Sequence, residues 1–376
     1  MSTKSAMSFS ETIKFLNVAF KIDLVPLLMG HTGIGKTECI EQYAQTHNMD
    51  AIILHVAQLE PSDFIGLYEK TGDGRTRNCP PNWLPYKEPQ KKEKNSQNLE
   101  KLAKVIHDTG FINPNGGVIF LDEVNRGHED IRQALYQLIN KKKIHTYALP
   151  NTYHIVAAAN PFDSYEVYDF DAALRNRFAW VFFKPTFDET KKYLEDKYGK
   201  NPIMSWLSTD KSLVEYGDDV KIDGMCMSPR IVEKAIQLYK EVENEGAVFI
   251  RKCLETIIQA EKVQSFISYL EEIKHINYKD VLAGKKKEKI KELLEAKRMD
   301  ILSTITTDLA DYYSDKTNLK DSEVKNTTDY LMEIPAELDT VFLDALKNYD
   351  AKGCITSNDY FRKNLKGKLG QYKKLF

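Results

Sequence analysis

No apolar run in this 376-residue chain approaches the roughly 18 residues of a membrane-spanning helix, so no bilayer span is expected. The opening stretch, Met1 to Ser10, lacks an apolar core of signal-peptide length. Cysteine is scarce: five residues (Cys39, Cys79, Cys226, Cys253 and Cys354), odd in number and scattered. No Cys-x-x-Cys occurs, so neither a zinc site nor a disulfide framework is indicated, and a reducing cytoplasm is the expected home. Charge of one sign is missing too. Lys and Arg number 53 against 55 Asp and Glu, a net charge of -2, which gives no global pull toward nucleic acid or membrane. A local basic face stays open.

What is present fits a soluble globular protein of two or three domains, with 42% hydrophobic and 29% charged residues. The most informative stretch is Gly30-His31-Thr32-Gly33-Ile34-Gly35-Lys36-Thr37. It follows the apolar run Leu24 to Met29 and precedes a helical pattern through Cys39, Ile40 and Tyr43. Strand, glycine loop and helix in that order make an anion nest of backbone N–H groups, reinforced by the positive end of the helix. Lys36 can reach the β- and γ-phosphates of a nucleotide, and the Thr37 hydroxyl can hold Mg²⁺.

The second anchor is Val118-Ile119-Phe120-Leu121-Asp122-Glu123. Four apolar residues predict a buried strand with two carboxylates at its C-terminal end, where open parallel sheets place ligands. Asp122 can hold the Mg²⁺ shell, and Glu123 can orient and deprotonate the attacking water. Further buried strands are expected over Ala51 to Val56, His154 to Ala159 and Phe178 to Phe183. His55, inside the first of these, reads as a core histidine. Asn160, at the end of the second, is either an Asn-Pro turn starter or an amide that orients water without adding charge. Ser228-Pro229 reads as a helix start. A cation there, Arg230, is disfavoured by the helix dipole unless an anion such as a γ-phosphate lies nearby.

These segments together resemble the AAA+ ATPases, specifically the MoxR-like and McrB/midasin-like branch. Leu121-Asp122-Glu123-Val124-Asn125-Arg126 looks like that branch's Walker B extension, and Val156 to Pro161 like its sensor 1 strand. Ala173-Leu174-Arg175-Asn176-Arg177-Phe178 resembles the arginine-finger segment, and Ser228-Pro229-Arg230 the sensor 2 entry. The resemblance spans roughly residues 10 to 272, in family order. It implies a parallel five-stranded P-loop sheet flanked by helices (1–185), an all-helical lid (186–275) and a helical C-terminal region (276–376). It also implies ATP and Mg²⁺ as ligands, with Glu123, Asn160, Arg177 and Lys36 catalytic. The residues Gly30 to Thr37, Asp122 and Arg230 would bind nucleotide, with Thr37 and Asp122 on the metal. Arg177 helps only if presented to a neighbouring subunit's nucleotide, with Arg175 as its competitor, so a homo-hexameric ring is implied. A partner with a von Willebrand A domain often accompanies the branch. Many MoxR relatives carry an acidic-Gly-Thr stretch after sensor 1; here Asp163 to Asp169 departs from it.

The expected activity is ATP hydrolysis that drives remodelling of a protein client. The alternative is a nucleic-acid-associated motor or a McrB-like switch, possibly on GTP, because the phosphate loop reads only phosphates. Lys143 to Pro150 looks hairpin-like and resembles a pre-sensor insertion; Lys141-Lys142-Lys143 beside it could meet a pore or a polyanion, or be a solvated helix end. A loop rich in Gly, Pro and Lys is expected from Gly72 to Ser96, as a weak candidate for partner contact. Ile290, Leu293, Leu294 and Ile301 are expected to share one helical face, interrupted by Lys297, and another amphipathic helix follows Pro335. The tail from Phe361 to Phe376 mixes aromatics and lysines, and reads as a frayed terminus or a nucleic-acid contact.

Overall fold

The computed structural model describes residues 5–86, 113–127, 129–160, 175–216, 226–296, 298–314, 319–335, 337–339, 342–343, 355 and 358–365. These divide between two compact units. The first holds residues 1–190, 215–220 and 228–230, and the second holds 191–214, 221–227 and 231–376.

The first unit opens with α1 (Phe9–Lys21), started by the reciprocal capping box of Ser8 and Glu11. The strand β1 (Val25–Met29) follows, buried at all five positions, and leads through the glycine loop into α2 (Lys36–Thr46). Then come β2 (Asp50–His55), the short α3 (Pro61–Ile65), and an antiparallel ribbon of β3 (Leu67–Lys70) and β4 (Thr76–Cys79). The strand β5 (Gly117–Asp122) precedes α4 (Glu129–Lys141). A second small ribbon, β6 (Lys143–Ile144) with β7 (Tyr147–Ala148), leads to β8 (Tyr153–Ala159), and β9 (Phe178–Phe182) completes the set.

Five strands form one parallel sheet in the order β2-β5-β8-β1-β9. Its interior strands read as unbroken apolar runs because both faces are covered. The two-residue alternation sorts them. Leu27, Met29, Ile155 and Ala157 join the core shared with α4 residues Ile131, Leu135 and Leu138. Leu28, Val156 and Ala158 join the core shared with α1 and α2 residues Leu16, Cys39, Ile40 and Tyr43. Because the strands are parallel, Met29, Asp122 and Ala159 all end at one edge of the sheet, which is where the site lies.

The second unit is helical. The helices α5 (Phe187–Tyr198) and α7 (Pro229–Val242) run into it from the first unit, and α6 (Pro202–Leu207) lies between them in sequence. Then follow α8 (Ala247–Leu254), α9 (Ala260–His275), α10 (Tyr278–Leu282), α11 (Lys287–Glu295), α12 (Met299–Ser314), α13 (Asp321–Glu333) and α14 (Asp359–Leu365).

Three expectations change. His55 is not a core histidine: its side chain is 54% exposed, with Nδ1 3.5 Å from Asp122 Oδ2. A strand ending at the sheet's open edge points its last side chain at the site rather than into the core. Ile290 and Ile301 do not share one helix, since α11 stops at Glu295 and α12 starts at Met299; both are nonetheless buried. Phe361 is not part of a frayed tail; it is fully buried on α14 and its ring lies 6.2 Å from that of Phe342. Asp163 to Asp169, Ala173, Leu174, Lys297 and residues 366–376 lie outside the described residues, as does most of the expected loop beyond Tyr86.

Tyr153 ties the start of β8 to its neighbours. Its buried hydroxyl donates to Asp50 Oδ2 (2.6 Å) and accepts from the Asn113 amide (3.0 Å). Burial, with the Asp50 hydrogen bond second, pushes the phenol up to about 12. Tyr153→Phe removes both hydrogen bonds, one of them to a carboxylate that keeps the Asn113 side-chain amide (3.1 Å), so unfolding in urea should show a loss of about 1–3 kcal/mol. A loss below about 0.5 kcal/mol would show that this contact does not hold the strand start.

Candidate nucleotide site

Each part of the site sits at the C-terminal edge of the sheet for a local reason. The loop after β1 must turn tightly against its neighbours. The Gly30 amide donates to Ala159 O (3.2 Å), and a Cβ at Gly30 would lie 2.8 Å from the Phe183 carbonyl oxygen. Gly33 and Gly35 take φ values of +76° and +95°, a region that side chains disfavour. Gly35 then caps α2, whose first turn carries Lys36 and Thr37.

Lys36 is only 8% exposed. Its Nζ donates to Gly30 O (2.5 Å), His31 O (2.8 Å) and Asn160 Oδ1 (2.9 Å). Burial is the main cause that pushes its ammonium down to about 8; Asp122 and Glu123 oppose the shift, and Arg230 adds to it. A buried cation held mostly by neutral carbonyls is a poor ion pair and a good anion receptor.

The carboxylates stand next to it. Asp122 Oδ1 accepts the Glu123 amide at 3.0 Å. Glu123 adopts a left-handed backbone, φ +53° and ψ +40°, at the start of a 3-10 turn over Val124–Arg126. A non-glycine residue there costs about 1–2 kcal/mol, and such strain is concentrated at functional sites. Glu123 Oε1 receives Arg126 Nη1 (3.2 Å) and, at the long limit, Asn160 Nδ2 (3.4 Å). The Asn160 amide therefore bridges Lys36 and Glu123. Its backbone carbonyl is held by the buried Asn125 Nδ2 (3.2 Å).

From the far side, the stretch 228–230 closes on the loop. The Arg230 amide donates to Gly33 O (3.1 Å), and a Cβ on Gly33 would sit 2.9 Å from Ser228 Oγ. Lys36, Asp122, Glu123, Asn160 and Arg230 thus gather around one loop. Arg177 does not join them. It lies just before β9, opposite Leu24 at the other end of the strand pair, about 16 Å along the strand at 3.3 Å per residue. There its guanidinium meets Asn140 Oδ1 and lies 6.0 Å from the Tyr136 ring centre, both on α4. Arg175 is exposed near the same end, its carbonyl accepting the Trp180 indole N–H (3.0 Å). Thr32 is exposed at the rim of the loop, His31 beside it is half-buried, and Ile34 is buried.

The donor set fits a nucleotide with its metal. Three amide-lined glycines and a buried ammonium suit the phosphates. Among the described residues no cluster of three or more His, Cys, Asp or Glu side chains could hold a metal by itself. Mg²⁺ does not require one, since it takes one or two protein oxygens and completes its shell from phosphates and water. Thr37 and Asp122 are the residues that would hold it.

Residues 26–178 match the family described as "AAA domain (dynein-related subfamily)", less than half of the chain. No curated protein matches. Among solved structures, the chain is similar to the Thermotoga maritima RuvB Holliday junction branch migration motor, with 15% identity, 66% of this chain and 68% of that chain covered, and a TM-score of 0.35. It is similar to NtrX from Brucella abortus at 10% identity, with 64% and 52% covered and a TM-score of 0.37. Hsp104, in a closed state with ATPγS and casein, shares 14% identity, with 66% and 46% covered and a TM-score of 0.37. These values are too low to carry activity from those proteins to this chain. The sheet order and the matched domain define the class: the chain contains a P-loop AAA+ ATPase fold, and the fold is that of an ATP-hydrolysing enzyme. Among the described residues no helix is long and apolar enough to cross a membrane.

Sequence reasoning singled out the loop, Asp122, Glu123, Asn160 and Arg230, and passed over Asn125, Arg126 and His55 as site residues. The signal for Asn125 and Arg126 was their place directly after the acidic pair. Their partners, Asn160 and Glu123, could be assigned only from the turn.

A phosphate bound at Lys36 raises its pKa again, so binding takes up a proton wherever free Lys36 is neutral. Nucleotide affinity should therefore be full below about pH 8 and weaken as pH rises through that value. Calorimetric titration with ADP at pH 8.5, in buffers of different ionisation enthalpy, should show uptake of most of one proton. Uptake near zero would show that the ammonium is not the phosphate's partner.

Proposed function

We propose that this chain hydrolyses ATP at a site completed by a second copy, and uses the cycle to work on a macromolecular client. The observation that carries the proposal is the hydrogen-bonded run from Lys36 through Asn160 to Glu123, laid across the ends of β1, β8 and β5. Lys36 would leave the loop carbonyls for the β- and γ-phosphates. Mg²⁺, held by Thr37 and Asp122, would draw charge from the phosphate oxygens. Glu123 would take the proton of a water as its oxygen attacks the γ-phosphorus, and the bond to the ADP oxygen would break with Lys36 stabilising the leaving charge. Asn160 would hold that water and Glu123 in line. Arg230, on the stretch that closes on Gly33, would sense the terminal phosphate.

Arg177 supports the assembly by its distance. A cation some 16 Å along the strand from the loop cannot serve its own nucleotide, and an arginine finger contributes about 10³–10⁵ in rate where one is supplied in trans. A ring of six copies places it against the neighbour's phosphate; Arg175 is the second candidate. The client is either a protein, engaged directly or through a von Willebrand A partner, or a nucleic acid. Stimulation of turnover by DNA or RNA that is lost in high salt selects the second.

Glu123→Gln should lower turnover about a hundredfold or more while ATP stays bound, read by phosphate release and by nucleotide retained through gel filtration. Unchanged turnover removes Glu123 from its role. Arg177→Ala and Arg230→Ala should each be nearly inactive alone and partly active when mixed, because a mixed assembly contains some intact sites. No recovery at any mixing ratio rejects a finger acting between copies.

A further inference from the structure

The two small ribbons of the first unit meet away from the nucleotide loop, and their junction has a composition that packing does not explain. Tyr147 Oη donates to Asn78 O (2.6 Å), and the Tyr68 and His145 rings meet edge-on at 6.2 Å. Tyr68 is nonetheless 68% exposed, among the most exposed large apolar side chains described. Three polar atoms at this junction, Asn78 Nδ2, Asn78 Oδ1 and His145 Nε2, are buried without a hydrogen-bond partner. Each such orphan costs about 1–3 kcal/mol, and unpaired groups clustered at one spot call for an explanation.

Strand alternation sorts the charges. In the β3–β4 register Tyr68 faces Asn78 and Lys70 faces Thr76, so these four share one face without an acid. Glu69 and Arg77 face each other on the opposite side and pair at 3.1 Å. At the tip, Asp73 is paired with Arg75. The second ribbon enters through Lys141, Lys142 and Lys143, of which Lys142 pairs with Asp23. Among the described residues Lys70, Lys141 and Lys143 make no ion pair. The junction thus offers one exposed aromatic ring, an amide and an imidazole with unmet hydrogen-bonding atoms, and the uncompensated cation of Lys70; Lys141 and Lys143 lie further along, where α4 passes into the second ribbon, with Lys143 on the face opposite Tyr147.

We propose that this junction binds a single-stranded nucleic acid. Tyr68 stacks on a base, Lys70 meets a backbone phosphate beside it, Lys141 and Lys143 meet phosphates further along the strand, and the Asn78 and His145 side chains, whose unmet atoms are buried in the free protein, turn outward to a base edge. An apolar peptide would leave the cations and the orphaned atoms unmet, and a duplex would keep its bases from the ring. The 13-residue α4, about 20 Å long at 1.5 Å per residue, begins just beyond the Glu123 turn and ends at Lys141. The junction is therefore joined to the hydrolytic site by one helix. This inference deepens the proposed function by naming its client and rests on that reading for its coupling only.

The test is fluorescence anisotropy of fluorescein-labelled dT20 and U20 with the full chain, without nucleotide, at 50 and 200 mM NaCl. Binding to at least one strand, weakened by salt, is expected. Tyr68→Ala should raise Kd about tenfold or more, with Tyr68→Phe within about twofold of the parent, and Asn78→Ala should also weaken binding. Lys70→Ala and Lys143→Ala should each flatten the salt dependence by about 0.7 in log–log slope. Arg362→Ala and Lys363→Ala, on α14, should leave Kd unchanged. Phosphate release is measured on the same preparations. No binding to either strand with turnover intact overturns this inference alone; binding without turnover overturns the ATPase reading alone. Binding that ignores Tyr68→Ala and Lys70→Ala, or that is as tight for the duplex, places the nucleic acid elsewhere and rejects the junction.

Discussion

One buried ammonium organises the C-terminal edge of the parallel sheet. Lys36 lies under the glycine loop with its three N–H groups spent on two loop carbonyls and on Asn160. Removing such a charge from water is costly unless something answers it. Here the answer is divided between neutral oxygens in contact and two carboxylates, Asp122 and Glu123, whose fields favour the charged form. A buried charge met mainly by neutral oxygens favours an incoming phosphate. The loop glycines, the burial of Ile34 and the approach of residues 228–230 all serve to keep that ammonium where water does not reach it freely.

The carboxylate end is arranged to be specific rather than relaxed. Glu123 takes a backbone conformation that few side chains tolerate, and the turn that follows returns Arg126 to its carboxylate. Asn125, buried in the same turn, holds the carbonyl of Asn160. Two consecutive residues thereby set the two groups that would handle the attacking water. From this turn α4 runs to the far edge of the sheet, where Asn140 and Tyr136 receive Arg177 and where the lysine-rich ribbon begins. A single helix thus spans from the Glu123 turn to Arg177 and the junction, so a shift at either end has a stiff path to the other.

How much of this could be read beforehand depended on range. Gly30 to Thr37 announced its loop because each residue's job there is local: positive φ at Gly33 and Gly35, close approach at Gly30. The three interior strands, β5, β8 and β1, were legible because a strand covered on both faces needs an unbroken apolar run; β2 and β9 were expected to be buried as well, but they are the sheet's edges and leave Ala51 and Phe182 exposed. The β3–β4 ribbon was not legible. Leu67 to Cys79 mixes charges, glycines and turn residues, and was read in part as loop, because an exposed two-stranded ribbon has no buried face to impose a pattern. His55 was misread because an apolar run implies burial along its length, whereas β2 is an edge strand and its last residue, paired with Asp122, turns its side chain outward. Phe361, set among lysines, carried no periodic signal strong enough to reveal its buried partner Phe342.

The order of residues was sufficient to determine the phosphate loop, the paired acids at a strand end and the alternation of strand and helix, since each follows from neighbours a few positions apart. Only the folded chain decided that Asn160 bridges Lys36 to Glu123, that Arg126 returns to the carboxylate three residues before it, and that Arg177 stands at the end of β9 remote from its own loop. It also decided that two weakly patterned ribbons meet around Tyr68 with their polar atoms unmatched. These pairings join residues from 3 to 124 positions apart. What sets them is strand order and register, which arise from packing the whole sheet and are not carried by any local run of side chains.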